Sequence, residues 1–420
     1  MAHQTPLHAW HTTQGAKMAE FGGYDMPLWY ASAKQEHLSV LTAAGLFDTS
    51  HMAVVGVQGP DALALLQACF TKDLDACIGR HNGPIASGRC VYGAFLSDGG
   101  EVIDDAIVFK TADRRFLVVV NAGMGGTVSR HLEMHAEGLD VRVEDRTDGV
   151  GKIDLQGPLA GKILGRLVDG GPSAMAGMVY FSFKGHFDPD APGYADLMLK
   201  DGTPVLLSRT GYTGEFGFEI FMQPDRVLPV WESVLSEGAP LGVLPCGLAA
   251  RDSLRAGAGL PLSHQDIGAW PFIHHPWEFA LPFTPDRSGF SKSFLGDKAL
   301  LEAADAPWTA AYVGEDLRKV NAADGAQVLL PDGQVIGSVL TCATDMGIGR
   351  VGSRIYSIAS GDAPEGFSPR GLCCGFVKTD RPLESGQTLT LRNGRRTIQA
   401  GVVGDIRPDR TARRPIQTML

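Results

Sequence analysis

One short string recurs in this sequence with the same surroundings. Val57-Gln58-Gly59-Pro60 and Leu155-Gln156-Gly157-Pro158 each follow a strand-like run and precede a helix-like run. Proline suits the first turn of a helix, where its missing N–H leaves no bond unmade. Pro60 to Phe70 and Pro158 to Val168 are therefore predicted helices. A strand–turn–helix unit met twice predicts a duplicated αβ body within the first ~280 residues. Helices are also expected over Arg226 to Ser236 and Gly247 to Arg255. Beyond Leu300 the helical patterns fade. Short apolar or alternating runs replace them at Gln327 to Leu330, Val335 to Leu340, Leu372 to Val377, Thr388 to Leu391 and Thr397 to Val403. Asp98-Gly99, Asp201-Gly202, Asp332-Gly333 and Asn393-Gly394 separate such runs, as in β-hairpins. The expected fold class is α+β: duplicated αβ domains followed by a small C-terminal β-barrel or sandwich.

The stretch Arg209 to Ile220, RTGYTGEFGFEI, sets three glycines before an alternating strand, Phe218-Glu219-Ile220-Phe221. Glu219 is thus a carboxylate in an apolar strand, where an unpaired charge is costly and donors that bond it favour its ionised form. A fused nitrogen heterocycle with amino and ring N–H donors would supply such bonds; a hairpin with a solvent-facing glutamate is the plainer alternative. Asp104 and Asp105 lie within another apolar run, Gly99 to Phe109. Neighbouring strand residues point to opposite faces, so one carboxylate is expected toward solvent or backbone and the other in a cavity, as a candidate acid or base. A pair of edge-strand solubilising charges is the alternative. Asn121 ends the run Phe116 to Ala122, either simply closing a strand or reading a heterocycle edge with its amide. Arg251 and Arg255, one helical turn apart beside Asp252, are placed either to clamp a carboxylate bidentately or to pair along the helix surface.

With 44% hydrophobic and 20% charged residues over 420 positions, a packed core is available and disorder is excluded. The net charge of −10 argues against a nucleic-acid partner. Arg392, Arg395, Arg396, Arg407, Arg410, Arg413 and Arg414 crowd the end of the chain, as a solvated basic tail or a docking patch for an acidic partner. Seven cysteines without a Cys-x-x-Cys string predict reduced thiols and a cytoplasmic protein. Neither a signal peptide nor a membrane span is expected, since there is no apolar h-region and no run of about 18 apolar residues. His37, His51, His264 and the pair His274-His275 lack zinc-site spacing, so no metal site is expected.

Taken in order, several blocks resemble the T-protein (aminomethyltransferase) family of the glycine cleavage system. They are Thr5 to Tyr30 (TPLHAWHTTQGAKMAEFGGYDMPLWY), Gly45 to Leu63 (GLFDTSHMAVVGVQGPDAL), GGEVIDDAIV, VVVNA, LQGP, RTGYTGEFGFEI, GLAARDSLRAGAGLPL and FLGDKAL. The resemblance runs to about Leu300. It implies a three-domain cloverleaf with tetrahydrofolate as cofactor: a first folate-binding lobe from residues 1–50 plus 150–245, a second from 51–149 plus 246–295, and a barrel over 296–420. It makes Asp105 the catalytic aspartate near pterin N10 and Glu219 the pterin-reading glutamate, with Asn121, Tyr92, Tyr180, Arg251 and Tyr212 as further cofactor-binding positions. In the family, an aminomethyl group on the dihydrolipoyl sulfur of a carrier protein loses ammonia, and its methylene carbon passes to folate N5 and closes onto N10. A carboxylate such as Asp105 takes the N10 proton and stabilises the positive iminium, provided that it is ionised. The implied partner is a lipoylated carrier protein, with no nucleic acid and no membrane.

Departures from the family pattern cluster where a second substrate or the carrier arm would enter. Leu41 stands where arginine is usual, SHMA (Ser50 to Ala53) replaces SHMG, and GMGGTVSRHLEMH follows Asn121 in place of a charged helix. Ser263 to Phe283 is bulkier than the usual stretch, and Phe187 to Lys200 and Met346 to Gly366 look like insertions. These leave two alternatives: a folate-dependent demethylase that moves a methyl group from a small S-, O- or N-methyl substrate to N5, and a non-catalytic folate-binding protein. GLCCGF lacks the cysteine motif of the latter class.

Overall fold

Eleven strands in two sheets and a closed barrel carry the computed structural model, which describes residues 2–79, 81–188 and 195–420. The first sheet has six strands in the order Phe183–Gly185, Leu206–Ser208, Gly217–Met222, Gly151–Gln156, Ala44–Asp48 and Val243–Cys246. Only its last pair is parallel. The second has five, antiparallel throughout: Arg89–Leu96, Val102–Ala112, Arg115–Val120, Ala53–Gln58 and Arg142–Asp145.

The repeated Gln-Gly-Pro string occupies the same place in both sheets. Gly59 links the strand Ala53–Gln58 to the helix Ala62–Cys69, and Gly157 links Gly151–Gln156 to the helix Ala160–Leu167. Their φ angles are 138° and 133°, a region that side chains disfavour. A Cβ would stand 2.3 Å from the Asp140 carbonyl at Gly59 and 2.6 Å from the Ala43 carbonyl at Gly157. Both turns thus exclude every residue but glycine for the same two reasons, and the echo in the sequence is an echo in the backbone.

Strand alternation then decides what faces where. In the second sheet Val55, Val57, Ala106, Val108, Val118 and Val120 form one core with the helices Ala62–Cys69 and Gly125–Met134. The opposite parity, Val54, Phe109 and Val119, meets Phe183, Leu206 and Phe221 of the first sheet. Phe109 contacts Phe183 and Phe221 at ring-centroid distances of 5.3 and 5.6 Å. The two sheets therefore pack face to face, and burying each such aromatic stabilises the contact by about 1.5–3 kcal/mol. Behind the first sheet, Ile153, Leu155, Phe218 and Ile220 pack under Trp231, Val230 and Val234 of the helix Val227–Gly238.

The C-terminal strands close on themselves in the order Trp308–Gly314, Leu372–Thr379, Val335–Asp345, Gln327–Leu329, Thr388–Asn393 and Arg396–Val402, the last pairing with the first. This resolves the barrel-or-sandwich expectation in favour of a barrel. Part of the Met346 to Gly366 insertion forms a separate hairpin, Ile348–Val351 with Arg354–Ser357, between two barrel strands. Residues 189–194 of the Phe187 to Lys200 stretch lie outside the described residues. Leu41 is buried against Phe47, Cys246, Ala250 and Leu254.

Candidate functional site

A cavity of about 1420 Å³ opens between the two sheets and the barrel. Tyr92, Asp105, Asn121, Tyr180, Tyr212, Glu219 and Arg251 all stand on its wall, brought there from six separate stretches of chain. Its volume exceeds the ~300–1,000 Å³ of most small-ligand pockets.

The paired aspartates divide as strand parity requires. Asp104 is 0% exposed and points away from the cavity, where its carboxylate accepts the Asn121 backbone N–H at 2.8 Å, Asn121 Nδ2 at 2.8 Å and Ser263 Oγ at 2.8 Å. Asp105 points into the cavity and accepts Tyr92 Oη at 2.8 Å and Asn121 Nδ2 at 2.7 Å. The single amide nitrogen of Asn121 bridges both acids, one hydrogen to each. Both of its donors are thereby committed, so Asn121 orients the acids and has only its carbonyl oxygen left for a ligand. Burial, and then the Asp105 charge, pushes Asp104 up to about 7. Burial also raises Asp105, against the lowering by its two hydrogen-bond donors. The pair thus takes up a proton nearer neutrality than an ordinary aspartate, as a group that exchanges protons at working pH must. Tyr92, raised well above its ordinary value by burial and by Asp105, stays a donor.

Glu219 is 6% exposed, which disposes of the solvent-facing hairpin glutamate. Its charge is not unpaired either. Lys152 Nζ lies 2.6 Å from Glu219 Oε1 and 2.6 Å from Asp154 Oδ1, and Thr210 Oγ1 donates to the other Glu219 oxygen. Arg251 closes the chain of charges with a 2.9 Å bond to Asp154 Oδ2, its guanidinium 5.0 Å from the Tyr212 ring centre. Two cations and two anions are thus strung along the sheet. Burial acts to raise Asp154, but Lys152 and Arg251 hold its carboxyl below the ordinary value. Lys152 and Asp154 were missed from sequence, although Lys152, Asp154 and Gln156 alternate with Ile153 and Leu155 in the signal that marked Glu219. His51, also on the cavity wall, is held neutral by burial and then by Arg251, with its pKa lowered to about 4; its Nδ1 has no hydrogen-bond partner among the described residues.

Two expectations are corrected. Arg255 cannot clamp a ligand carboxylate together with Arg251: its five N–H groups meet Asp252, Asp266, Thr341 Oγ1 and the Leu260 carbonyl. The C-terminal arginines are not uniformly a solvated tail. Arg407 is buried between Asp345, at 2.6 Å, and Glu215, at 3.3 Å. Arg410 and Arg413 reach the cavity wall, where Arg413 lies 5.4 Å from the Tyr180 ring centre and Lys34 and Lys319 add further positive charge.

Known proteins match this chain closely. A family model described as the GCVT N-terminal domain matches residues 7–284. An aminomethyltransferase of Streptomyces coelicolor is 32% identical over 375 residues, 86% of this chain and 91% of its own length. One from a Geobacillus species is 35% identical over 341 residues, covering 81% and 86%. One from Bacillus subtilis is 35% identical over 300 residues, covering 71% and 76%. The crystal structure of the glycine cleavage system aminomethyltransferase T from Bartonella henselae superimposes with a TM-score of 0.74 at 26% identity, covering 99% of both chains.

Proposed function

Because this chain belongs to the aminomethyltransferase family defined by the GCVT N-terminal domain, we propose that its central cavity binds tetrahydrofolate and that Asp105 works on the one-carbon unit there. The protein is a one-carbon transferase of the glycine cleavage type. The observation that carries the assignment of the site is the convergence on one cavity of a proton-exchanging acid, Asp105, and a charge-compensated carboxylate, Glu219. The donor set suits the cofactor: Glu219 and the Asn121 carbonyl accept from the amino and N–H groups of a pterin. Arg410, Arg413, Lys34 and Lys319 suit the carboxylates of its tail or an acidic carrier protein.

When bound, tetrahydrofolate supplies the N5 and N10 amines that receive the carbon. Asp105, held by Tyr92 and Asn121, accepts the proton released from N10 and places negative charge beside the cationic carbon. Asp104, locked to the Asn121 backbone and Ser263, fixes the strand end from which Asn121 acts. Lys152 and Arg251 together balance Glu219 and Asp154, so that a neutral heterocycle meets no net charge from this row. In this assignment the aminomethyl donor rides on a lipoylated carrier protein, and the enzyme is cytoplasmic, in keeping with seven free thiols. The proposed lobes are residues 1–50 with 150–245 and 51–149 with 246–295, followed by the barrel at 296–420.

Purified protein is incubated with tetrahydrofolate and an aminomethylated lipoyl carrier. Methylene-tetrahydrofolate and ammonia are the expected products. Asp105→Asn should lower turnover by at least about a hundredfold while leaving calorimetric folate affinity within about threefold. Methyl-tetrahydrofolate from a free methylated small molecule, with no reaction from the carrier, would overturn the assignment in favour of a demethylase.

A further inference from the structure

Outside the cavity, on the helix-covered face of the second sheet, three side chains of metal-ligating type converge. Cys69 ends the helix Ala62–Cys69, His131 sits on the helix Gly125–Met134, and His135 is the residue that caps it. Spacing of i, i+4 sets the two imidazoles on one helix face. Packing of both helices on one core brings that face to the end of the other helix, with Cys69 and Leu132 in the same buried cluster. Cys69 Sγ and one ring nitrogen of each histidine lie within 4.8 Å of one another. None of the three is on the wall of the folate cavity.

The polar chemistry of this cluster is unfinished. His131 is only 8% exposed, and its Nε2 is buried with no hydrogen-bond partner among the described residues. A buried polar atom left without a partner is costly. His135 Nδ1 lies 2.8 Å from the His131 carbonyl. A carbonyl only accepts, so Nδ1 carries a proton and Nε2 is the nitrogen turned to a metal, the arrangement that orients a ligating histidine.

We propose that Cys69, His131 and His135 form a zinc site, with a fourth position for water. Two imidazole nitrogens and one thiolate match zinc's preference for mixed nitrogen and sulfur ligands. The metal would tie the end of one helix to the other, and the second helix begins four residues after Asn121, so the site braces the segment that holds the acid pair.

The full chain, reduced and stripped with a chelator, is titrated with Zn²⁺ against a chromogenic chelator. One zinc per chain is expected, with a dissociation constant below about a micromolar, weakened at least about tenfold in His135→Ala and Cys69→Ser. His135 is partly exposed, so its alanine variant tests the site without emptying a core. Bound Co²⁺ should show a sulfur-to-cobalt charge-transfer band that vanishes in Cys69→Ser and persists in Cys77→Ser. Zinc should raise the melting temperature of the parent and not that of His135→Ala. No binding at micromolar zinc, or equal affinity in parent and both variants, would overturn the proposal and leave His131 a packed ring against Phe95.

Discussion

Lys152→Met removes one positive charge from a row of four, three of them buried. Lys152 is 2% exposed, and its ammonium is 2.6 Å from Glu219 and 2.6 Å from Asp154. Methionine keeps most of the apolar stem, so the change isolates the charge. Taking one partner from a buried ion pair costs about 3–5 kcal/mol, chiefly because the other charge is left uncompensated. Arg251 still holds Asp154, so the penalty falls mainly on Glu219, whose one remaining donor among the described residues is Thr210. A loss of about 3 kcal/mol is therefore expected in guanidinium unfolding, read as a lowered midpoint at unchanged slope. The pH dependence has a definite sign. Asp154 is held below its ordinary 3.8 by Lys152 and Arg251, so its contribution to stability is present above that value and lost as pH falls through its native value. Lys152→Met weakens that contribution, and the deficit should be full near pH 7 and shrink below about pH 4. The double variant Lys152→Met with Glu219→Gln removes both charges and should regain at least about half of the loss, a coupling that a double-mutant cycle measures. A loss under about 1 kcal/mol, or a double variant no more stable than the sum of the singles, would refute the idea that Lys152 is the counter-ion of this wall.

Three further outcomes are open to measurement. Asp104 has a native value of about 7 against an ordinary 3.8, so the folded state binds its proton more tightly than the unfolded chain; stability should fall from about pH 4 to pH 7, by on the order of 2–4 kcal/mol. Asp104→Asn should flatten that slope in unfolding curves taken at several pH values, whatever its absolute stability. Tyr92→Phe deletes a donor that lowers Asp105, so the acid limb of the rate profile should move to higher pH and turnover should drop about tenfold with little change in folate affinity; an unmoved limb would remove Tyr92 from the catalytic arrangement. Gly157→Ala puts a Cβ 2.6 Å from the Ala43 carbonyl at φ 133°, and the backbone strain alone should cost about 1–3 kcal/mol, visible as a lower unfolding midpoint.

Much of this protein was legible in its sequence, because much of it is decided by neighbours along the chain. The repeated Gln-Gly-Pro string specified two equivalent strand-to-helix turns, since each needs a glycine conformation; Pro60 and Pro158 fall just before the helix caps Asp61 and Leu159 and not in the first turn. Alternation along Val102–Ala112 specified that Asp104 and Asp105 part company, because a strand sends successive side chains to opposite faces. Turn pairs specified the barrel's hairpins. The tertiary structure decided how the charges are matched. Glu219 looked like a bare carboxylate awaiting a ligand, yet antiparallel register sets Glu219 beside Asp154 and brings Lys152 between them from a strand over sixty residues earlier. Arg255 read equally as a ligand clamp or a helix-surface partner, and it is fully engaged with Asp252, Asp266 and Thr341. Arg407 looked like tail and is a buried counter-ion to Asp345. Cys69 has no mark in the sequence that joins it to His131 and His135. In each case the partner comes from a distant segment, and the low dielectric of the interior makes that partner decisive: a charge or lone pair taken out of water must be met by whatever the packing places against it.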